Sequence, residues 1–357
     1  MNIHVRTYTT SIMCARPLFF SLTLSTLLIT ASITTAVETT TEPVGAMLMK
    51  VNSPASPGTS RLSLISATFV NPVSYQGAIA TLNATTLTVA GTPWAANQFN
   101  GANGKYYIEI TSGAGAGAMS DITATATNSL TLTDNLTTFG GATTAFRIRK
   151  HVTIGQIFGA TNTAGLLAGQ SPSEADEIIV LDAAGQSFAT YFYGDFDGTE
   201  FDGWYDASYT AAANAVITPE QGIIIRRKQT GAQLQFVFSG SVKPGQTLVP
   251  VSQGVNYVGM ANAAGRTLAT SGLFTGSTTT GVKSGQGLGD ADEIALIGSD
   301  GAFNVYWYGD FDGTEFDGWY DSSYNPSNSL TINPGTGIFI RRKAPSSSFN
   351  WTVPSAY

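Results

Sequence analysis

Charge is scarce in this chain of 357 residues. Only 11% of its residues are Asp, Glu, Lys or Arg, against the roughly 25% of an ordinary soluble domain. A disordered, charge-rich chain is therefore excluded. The 17 basic residues are outnumbered by 24 acidic ones. A phosphate backbone wants a basic surface, so nucleic acid is excluded as a partner. Cysteine occurs once, as Cys14, and histidine twice, as His4 and His151. Disulfides, thiolate metal sites, cysteine nucleophiles and histidine-cluster zinc sites have no material to form from. No stretch carries an i, i+3, i+4, i+7 apolar stripe for more than two turns, so long helices are not expected.

The one sustained apolar run lies at the start. Residues 1–36 read as a secretory signal peptide, with Arg6 and Arg16 ahead of or beside the run, Leu18 to Ile29 as its apolar part, and no acidic residue before Glu38. Thr34 and Ala36 are small residues suited to a cut after Ala36. The leading segment is long, and Met13 is an alternative start. Cleavage would leave 15 bases against 24 acids, a net charge of −9, no cysteine, and His151 as the one histidine. No second apolar span follows, so a membrane span after signal removal is not expected. The expected location is exported: periplasm, cell surface or extracellular space.

Residues 37–60 are rich in Thr, Ser and Pro and read as a flexible lead-in. From Arg61 onward, apolar or β-branched runs of five to seven residues alternate with clusters of Gly, Asn, Asp, Ser and Thr. This is the pattern of strands and hairpins. The expected fold is all-β, made of multidomain β-sandwich or barrel-like units. Short helical turns are expected only near Thr163–Ala168 and Gly265–Ser271. The glycine string Ser112–Ala118 lacks the Lys-Ser/Thr ending of a phosphate loop and reads as a flexible hairpin tip.

An internal duplication dominates the C-terminal two thirds. GDFDGTEFDGWYD occurs at Gly194–Asp206 and again, unchanged, at Gly309–Asp321. ADEI stands upstream at Ala175–Ile178 and Ala291–Ile294, and IIIRRK and IFIRRK stand downstream at Ile223–Lys228 and Ile338–Lys343. Aromatic runs, YFYG and YWYG, precede each acidic segment. Such a spacing is too long for a solenoid and reads as two similar β-units. The expected division is an N-terminal β-domain at 61–150, a first repeat at 151–240 and a second at 241–357. FRIRK at Phe146–Lys150 is a faint third echo of the basic strand.

The run YYIEITSGAGAGAMSDITATATNSLTLTDNL, then FRIRKHVTIGQIFG, ADEI, an aromatic strand, a Trp-containing loop and P-x-x-G-I-x-I-R-R-K together resemble a paralogous family of exported proteins best represented in Verrucomicrobia. The resemblance spans about residues 60–343. It implies export and an all-β fold and implies no activity. The DFDGTEFDG loop is more acidic than that family's pattern, so no family site is carried onto it.

Each acidic segment holds five carboxylates and no base: Asp195, Asp197, Glu200, Asp202 and Asp206, then Asp310, Asp312, Glu315, Asp317 and Asp321. Calcium is a hard cation taking six to eight oxygen ligands, and a dense acidic turn offers them. The spacing is not that of an EF-hand, whose glycine stands sixth and whose glutamate stands twelfth. The other reading is a solvated hairpin, with Phe196, Phe201, Trp204 and Tyr205 on the sheet and the acids in water. Nearby Arg-Arg-Lys clusters at Arg226–Lys228 and Arg341–Lys343 are the expected compensators of the acidic loops, through an internal Arg–Asp pair in each repeat. His151, following a basic cluster, reads as structural.

The expected role is structural or adhesive, non-enzymatic, with the protein itself or other envelope components as partners. The alternative is a calcium-dependent carbohydrate-binding protein. It would use the acidic loops for the ion, and Trp204, Tyr205, Trp319 and Tyr320 for sugar rings. A carboxylate-based glycoside hydrolase is a distant third, since it needs two carboxylates facing one cleft and two tandem loops suggest repeated binding units. No catalytic residue is assigned.

Overall fold

The β-branched and aromatic runs become strands throughout. The computed structural model describes residues 42–357 apart from 102–103, 183–185, 197, 199, 312, 314 and 357. The expected signal peptide, with His4 and Cys14, lies outside the described residues, as do Asp197 and Asp312. Residues Glu42–Tyr357 form one compact unit. Among the described residues, no helix is long and apolar enough to cross a membrane.

Strands β1 (Val44–Val51) and β2 (Arg61–Ser66) come first. Then follow β3 (Val73–Ala78), β4 (Thr81–Asn83), β5 (Thr86–Thr88), β6 (Tyr106–Ile110), β7 (Met119–Thr125), β8 (Ser129–Leu132) and β9 (Ala145–Lys150). These seven form one sheet in the order β3-β9-β6-β7-β8-β5-β4. Its two end strands are joined by residues 79 and 80. Ile79 donates its N–H to the Thr144 carbonyl at 2.9 Å, beside β9, and Ala80 donates to Thr88 on β5 at 2.8 Å. The ends of the sheet therefore meet, and it curls into a barrel. Leu87, Ile108, Ile110, Leu130, Phe146 and Ile148 fill the interior with Trp94 and Phe99.

The chain leaves the barrel through β10 (Val152–Thr153) and helix α1 (Ile154–Phe158). Thr153 and Gln156 form a capping box at the helix start, each bonding the other's backbone amide. Next come β11 (Glu177–Asp182), β12 (Ser187–Gly194), β13 (Gly203–Asp206), β14 (Val216–Ile217), β15 (Gly222–Arg227) and β16 (Leu234–Ser241). An antiparallel sheet of five strands runs β13-β12-β11-β15-β2. β1 pairs with β16 from Val44↔Ser241 to Val51↔Leu234. Their inward residues Met49, Val51, Phe236 and Phe238 pack with α1 against Ile178, Val180, Trp204, Ile223 and Ile225 of the sheet.

The remaining strands are β17 (Thr247–Val251), β18 (Gly254–Val258), β19 (Arg266–Thr267), β20 (Glu293–Ile297), β21 (Phe303–Gly309), β22 (Gly318–Asp321), β23 (Thr331–Ile332), β24 (Ile338–Arg342) and β25 (Phe349–Val353). Their sheet runs β22-β21-β20-β24-β18, with a β17–β25 ribbon over it and a short β19–β23 pair. Strand for strand this matches the first unit: β18 stands where β2 stands, β17–β25 where β1–β16 stands, and β19–β23 where β10–β14 stands. After β19, a 3-10 turn at Leu268–Thr270, capped by Thr267, takes the place of α1. The second core holds Val249, Val251, Ile294, Trp319, Ile338, Ile340, Phe349 and Trp351.

The boundaries differ from those the sequence suggested. β1 lies inside the stretch expected to lead in loosely, and β2 lies inside the expected N-terminal domain. By pairing, both belong to the first repeated unit. The barrel sits between β2 and β10, so it interrupts the first unit instead of preceding it. The expected turn near Gly265–Ser271 is present, whereas helix is found at α1 and not over Thr163–Ala168.

The two five-stranded sheets also pack against each other. Leu64, Ile179 and Ile224 of the first meet Tyr257, Ile297 and Phe339 of the second. Strands β11 and β15 are thus covered on both faces, which explains their unbroken apolar runs EIIVL and GIII. The glycine string at Ser112–Ala118 is no free tip. Leu248 donates its N–H to Gly117 O at 3.0 Å, and Gln246 Nε2 donates to Ala116 O at 2.7 Å. A Cβ on Gly115 would lie 1.9 Å from the Phe139 carbonyl oxygen. The glycines are there because backbone meets backbone.

Candidate functional site

The acidic segments are the β12–β13 and β21–β22 hairpin loops. Registers Tyr193↔Trp204 and Tyr308↔Trp319 set the two hairpins alike. Each loop is fastened by its own residues. The Phe196 N–H donates to Asp202 Oδ1 at 2.8 Å, and the Phe311 N–H to Asp317 Oδ1 at 2.7 Å. The Tyr205 hydroxyl donates to Phe201 O at 2.6 Å, and the Tyr320 hydroxyl to Phe316 O at 2.5 Å. Gly194 and Gly309 make room for the rings: a Cβ there would come within 2.6 Å of Phe196 or Phe311.

Asp206 and Asp321 cap the turns that follow. Asp206 Oδ1 accepts the N–H groups of Ser208 and Thr210 at 2.8 and 2.9 Å, and Asp321 Oδ1 accepts those of Ser323 and Asn325 at the same distances. The hydrogen bonds from Asn325 hold the Asp321 carboxyl below the usual carboxylate range. This side-chain anchoring holds Tyr209 and Tyr324 at φ of 62° and 64°, a left-handed conformation uncommon outside glycine. Asp195, Glu200, Asp310 and Glu315 are exposed, with Ser284 Oγ donating to Asp310 Oδ2 at 3.1 Å. Among the described residues, no three His, Cys, Asp or Glu side chains are grouped to hold a metal ion.

The loop aromatics divide into two sets. Trp204 and Trp319 are each only 2% exposed, and Trp204 Nε1 donates to Gly159 O at 2.8 Å. Their faces pack in the cores and offer no surface for a sugar ring. Tyr205 and Tyr320 are half-buried, set edge-on to Phe196 and Phe311. The aromatic that reaches solvent is one that the sequence reading placed on the sheet: Phe201, 61% exposed, and its counterpart Phe316, 62% exposed.

Among the described residues, the Arg-Arg-Lys clusters form no ion pair with these loops. They serve the ADE segments instead, because Glu177↔Arg226 and Glu293↔Arg341 are cross-strand partners. Arg226 Nη1 and Lys228 Nζ reach Glu177 at 2.8 and 2.7 Å. Lys343 Nζ reaches Glu293 at 2.8 Å. On the opposite strand face the buried arginines meet the buried aspartates, Arg227 with Asp176 at 3.6 Å and Arg342 with Asp292 at 2.5 Å. An Arg–Asp pair is therefore present in each repeat, with a different aspartate from the one expected. Asp176 also accepts the N–H groups of Leu167 and Lys228 at 2.8 and 2.7 Å, and Asp292 those of Lys283 and Lys343 at 2.8 Å each. Each aspartate ties an incoming loop to the end of the basic strand.

The two copies differ at the arginine. Arg342 bonds Ser347 O and Gly281 O besides Asp292, and lies over the Phe349 ring at 4.7 Å. Arg227 leaves Nε and Nη1 without hydrogen-bond partners, and burial lowers its pKa against the pull of Asp176. In the third basic strand, FRIRK, both arginines likewise pair internally, with Glu42. Arg149 is fully buried and makes a two-pronged contact with Glu42, while Lys243 Nζ meets Glu109 at 2.7 Å.

Comparison of the chain with family models, curated proteins and solved structures finds no match.

Proposed function

We propose that this is an exported, non-enzymatic structural or adhesive β-protein of the cell surface or extracellular space, which contacts itself or other envelope components through its two acidic hairpins. The observation that carries the reading is the paired presentation of Phe201 and Phe316. Each is an apolar ring some three-fifths exposed, flanked in sequence by Glu200 and Asp202 or by Glu315 and Asp317, and set on a loop whose backbone carbonyl accepts a hydrogen bond from Tyr205 or Tyr320. A side chain on a hydrogen-bonded backbone loses less freedom on contact, and aromatic side chains anchor interfaces. Two such tips on one molecule allow bivalent contact, which raises avidity without new chemistry. The rest of the conspicuous chemistry, the ADE acids and the Arg-Arg-Lys bases, is spent inside the fold as fasteners.

The test has two parts. Antibody labelling and protease shaving of intact cells report position, with surface access expected. Sedimentation velocity of the purified protein, alone and with envelope fragments, reports association. A monomer at all concentrations that also fails to co-sediment with envelope would refute the adhesive role.

A further inference from the structure

A second polar centre lies away from the hairpins, where the barrel meets the Thr218–Glu220 turn between β14 and β15. A pocket of about 210 Å³ opens there, with Tyr107, Ser120, Asp121, Asp134, His151 and Glu220 among its lining. Three acids and no Lys or Arg line it. His151 and Tyr107 are each 2% exposed, with ring centroids 4.6 Å apart. His151 Nε2 lies 2.7 Å from Asp121 Oδ1, so in the neutral imidazole Nε2 is the donor and Nδ1 the acceptor. Asp134 Oδ2 accepts from Ser120 Oγ at 2.9 Å.

Three buried atoms of this one pocket have no hydrogen-bond partner: His151 Nδ1, Glu220 Oε2 and Tyr107 Oη. Buried polar atoms in native proteins are almost always partnered. Three orphans in one pocket therefore point to a missing partner. Two of the three are acceptors, and the third, a hydroxyl, accepts or donates. The complement is a group with several N–H donors, no acceptor and a positive charge to answer the carboxylates. An ammonium has that inventory. We propose that this pocket binds a small primary ammonium, the end of an aliphatic amine or of a lysine side chain, with Glu220 and His151 accepting its N–H bonds. Burial raises the Glu220 carboxyl above its ordinary range, and an ammonium would draw it back toward the ionised form.

The chain has two histidines, so a His4→Gln background leaves His151 as the only imidazole signal in a proton–carbon NMR spectrum. In that full-length protein, n-butylammonium is expected to shift the His151 resonances saturably at millimolar concentration, while n-butanol leaves them in place. Glu220→Gln replaces the accepting oxygen by a donor and is expected to weaken binding at least tenfold. Tyr107→Phe serves as a second variant if the first fails to fold, with weakened binding expected. No saturable shift, an equal response to butanol, or unchanged binding in the folded variants would overturn the proposal and leave ordered water as the occupant.

Discussion

Asp292→Asn separates the charge of a buried aspartate from its shape. Asp292 has no solvent exposure and Arg342 has 1%. The carboxylate accepts three hydrogen bonds: Arg342 Nη1 at 2.5 Å, the Lys283 N–H at 2.8 Å and the Lys343 N–H at 2.8 Å. An asparagine side chain of the same size turns its NH₂ toward at least one of these donors. Arg342 then keeps its charge in the core with the neutral Ser347, Gly281 and Thr278 carbonyls and the Phe349 face to meet it, and no carboxylate partner among the described residues. Removing one neutral hydrogen-bond partner costs about 1–3 kcal/mol. Stranding a buried charge costs about 3–5 kcal/mol, and the second figure governs here because no water reaches Arg342. Urea unfolding followed by tryptophan fluorescence is suited to the measurement, since Trp319 and Trp351 lie in the same core. The midpoint should fall by the equivalent of about 3–5 kcal/mol. A loss under about 1 kcal/mol, the range of an exposed pair, would refute the view that this contact fastens the repeat.

The matching change in the first repeat, Asp176→Asn, should cost less, because Arg227 is held at 3.6 Å and already has unpartnered nitrogens; equal losses in paired urea melts would contradict this. Gly115→Ala should destabilise by at least about 1–3 kcal/mol, since its Cβ would press on the Phe139 carbonyl; thermal melting checks it. Burial holds Glu220 above its ordinary pKa, so its stabilising share is complete below the unfolded value of about 4.3 and is lost as pH rises through the folded value. Glu220→Gln should therefore gain in melting temperature relative to the unaltered protein as pH rises from about 4 to about 7; a constant difference would contradict that. Calcium against chelator should leave the melting temperature unchanged, because Asp202, Asp206, Asp317 and Asp321 already bond loop amides. A rise of several degrees would instead establish the loops as ion sites.

Local signals in the sequence carried far. The alternation of β-branched residues and turn clusters specifies an all-β chain, and the repeated ADE, YxYG and RRK landmarks lie on corresponding strands of two sheets. Pairing over long separations was not legible. β1 and β2 look like tail and domain edge because their partners, β16 and β15, come after the whole barrel, and nothing in a short window reports a strand that distant. The same limit hid the partners of the arginines. Alternation says that Arg226 and Arg227 face opposite ways, and only the β11–β15 register brings Glu177 and Asp176 beside them. At the hairpins, composition marks the acidic loops but not which of their rings reaches water. Trp204 and Trp319 are large enough to be drawn into the cores, and the solvent-facing ring is a phenylalanine. The pocket around His151 draws on two strands, a strand-to-strand link and a turn, Tyr107 on β6, Asp121 on β7, His151 after β9 and Glu220 before β15, with no motif in sequence to mark it.

The most direct test of the contact tips is the double variant Phe201→Ser, Phe316→Ser. Both rings are largely in water, so the melting temperature should hold, surface substitutions commonly staying within about 0.5 kcal/mol. In sedimentation with envelope fragments, retention should fall at least tenfold relative to the unaltered protein, and each single variant should fall less because one tip remains. Undiminished retention in the folded double variant would contradict the hairpin tips as the adhesive surface.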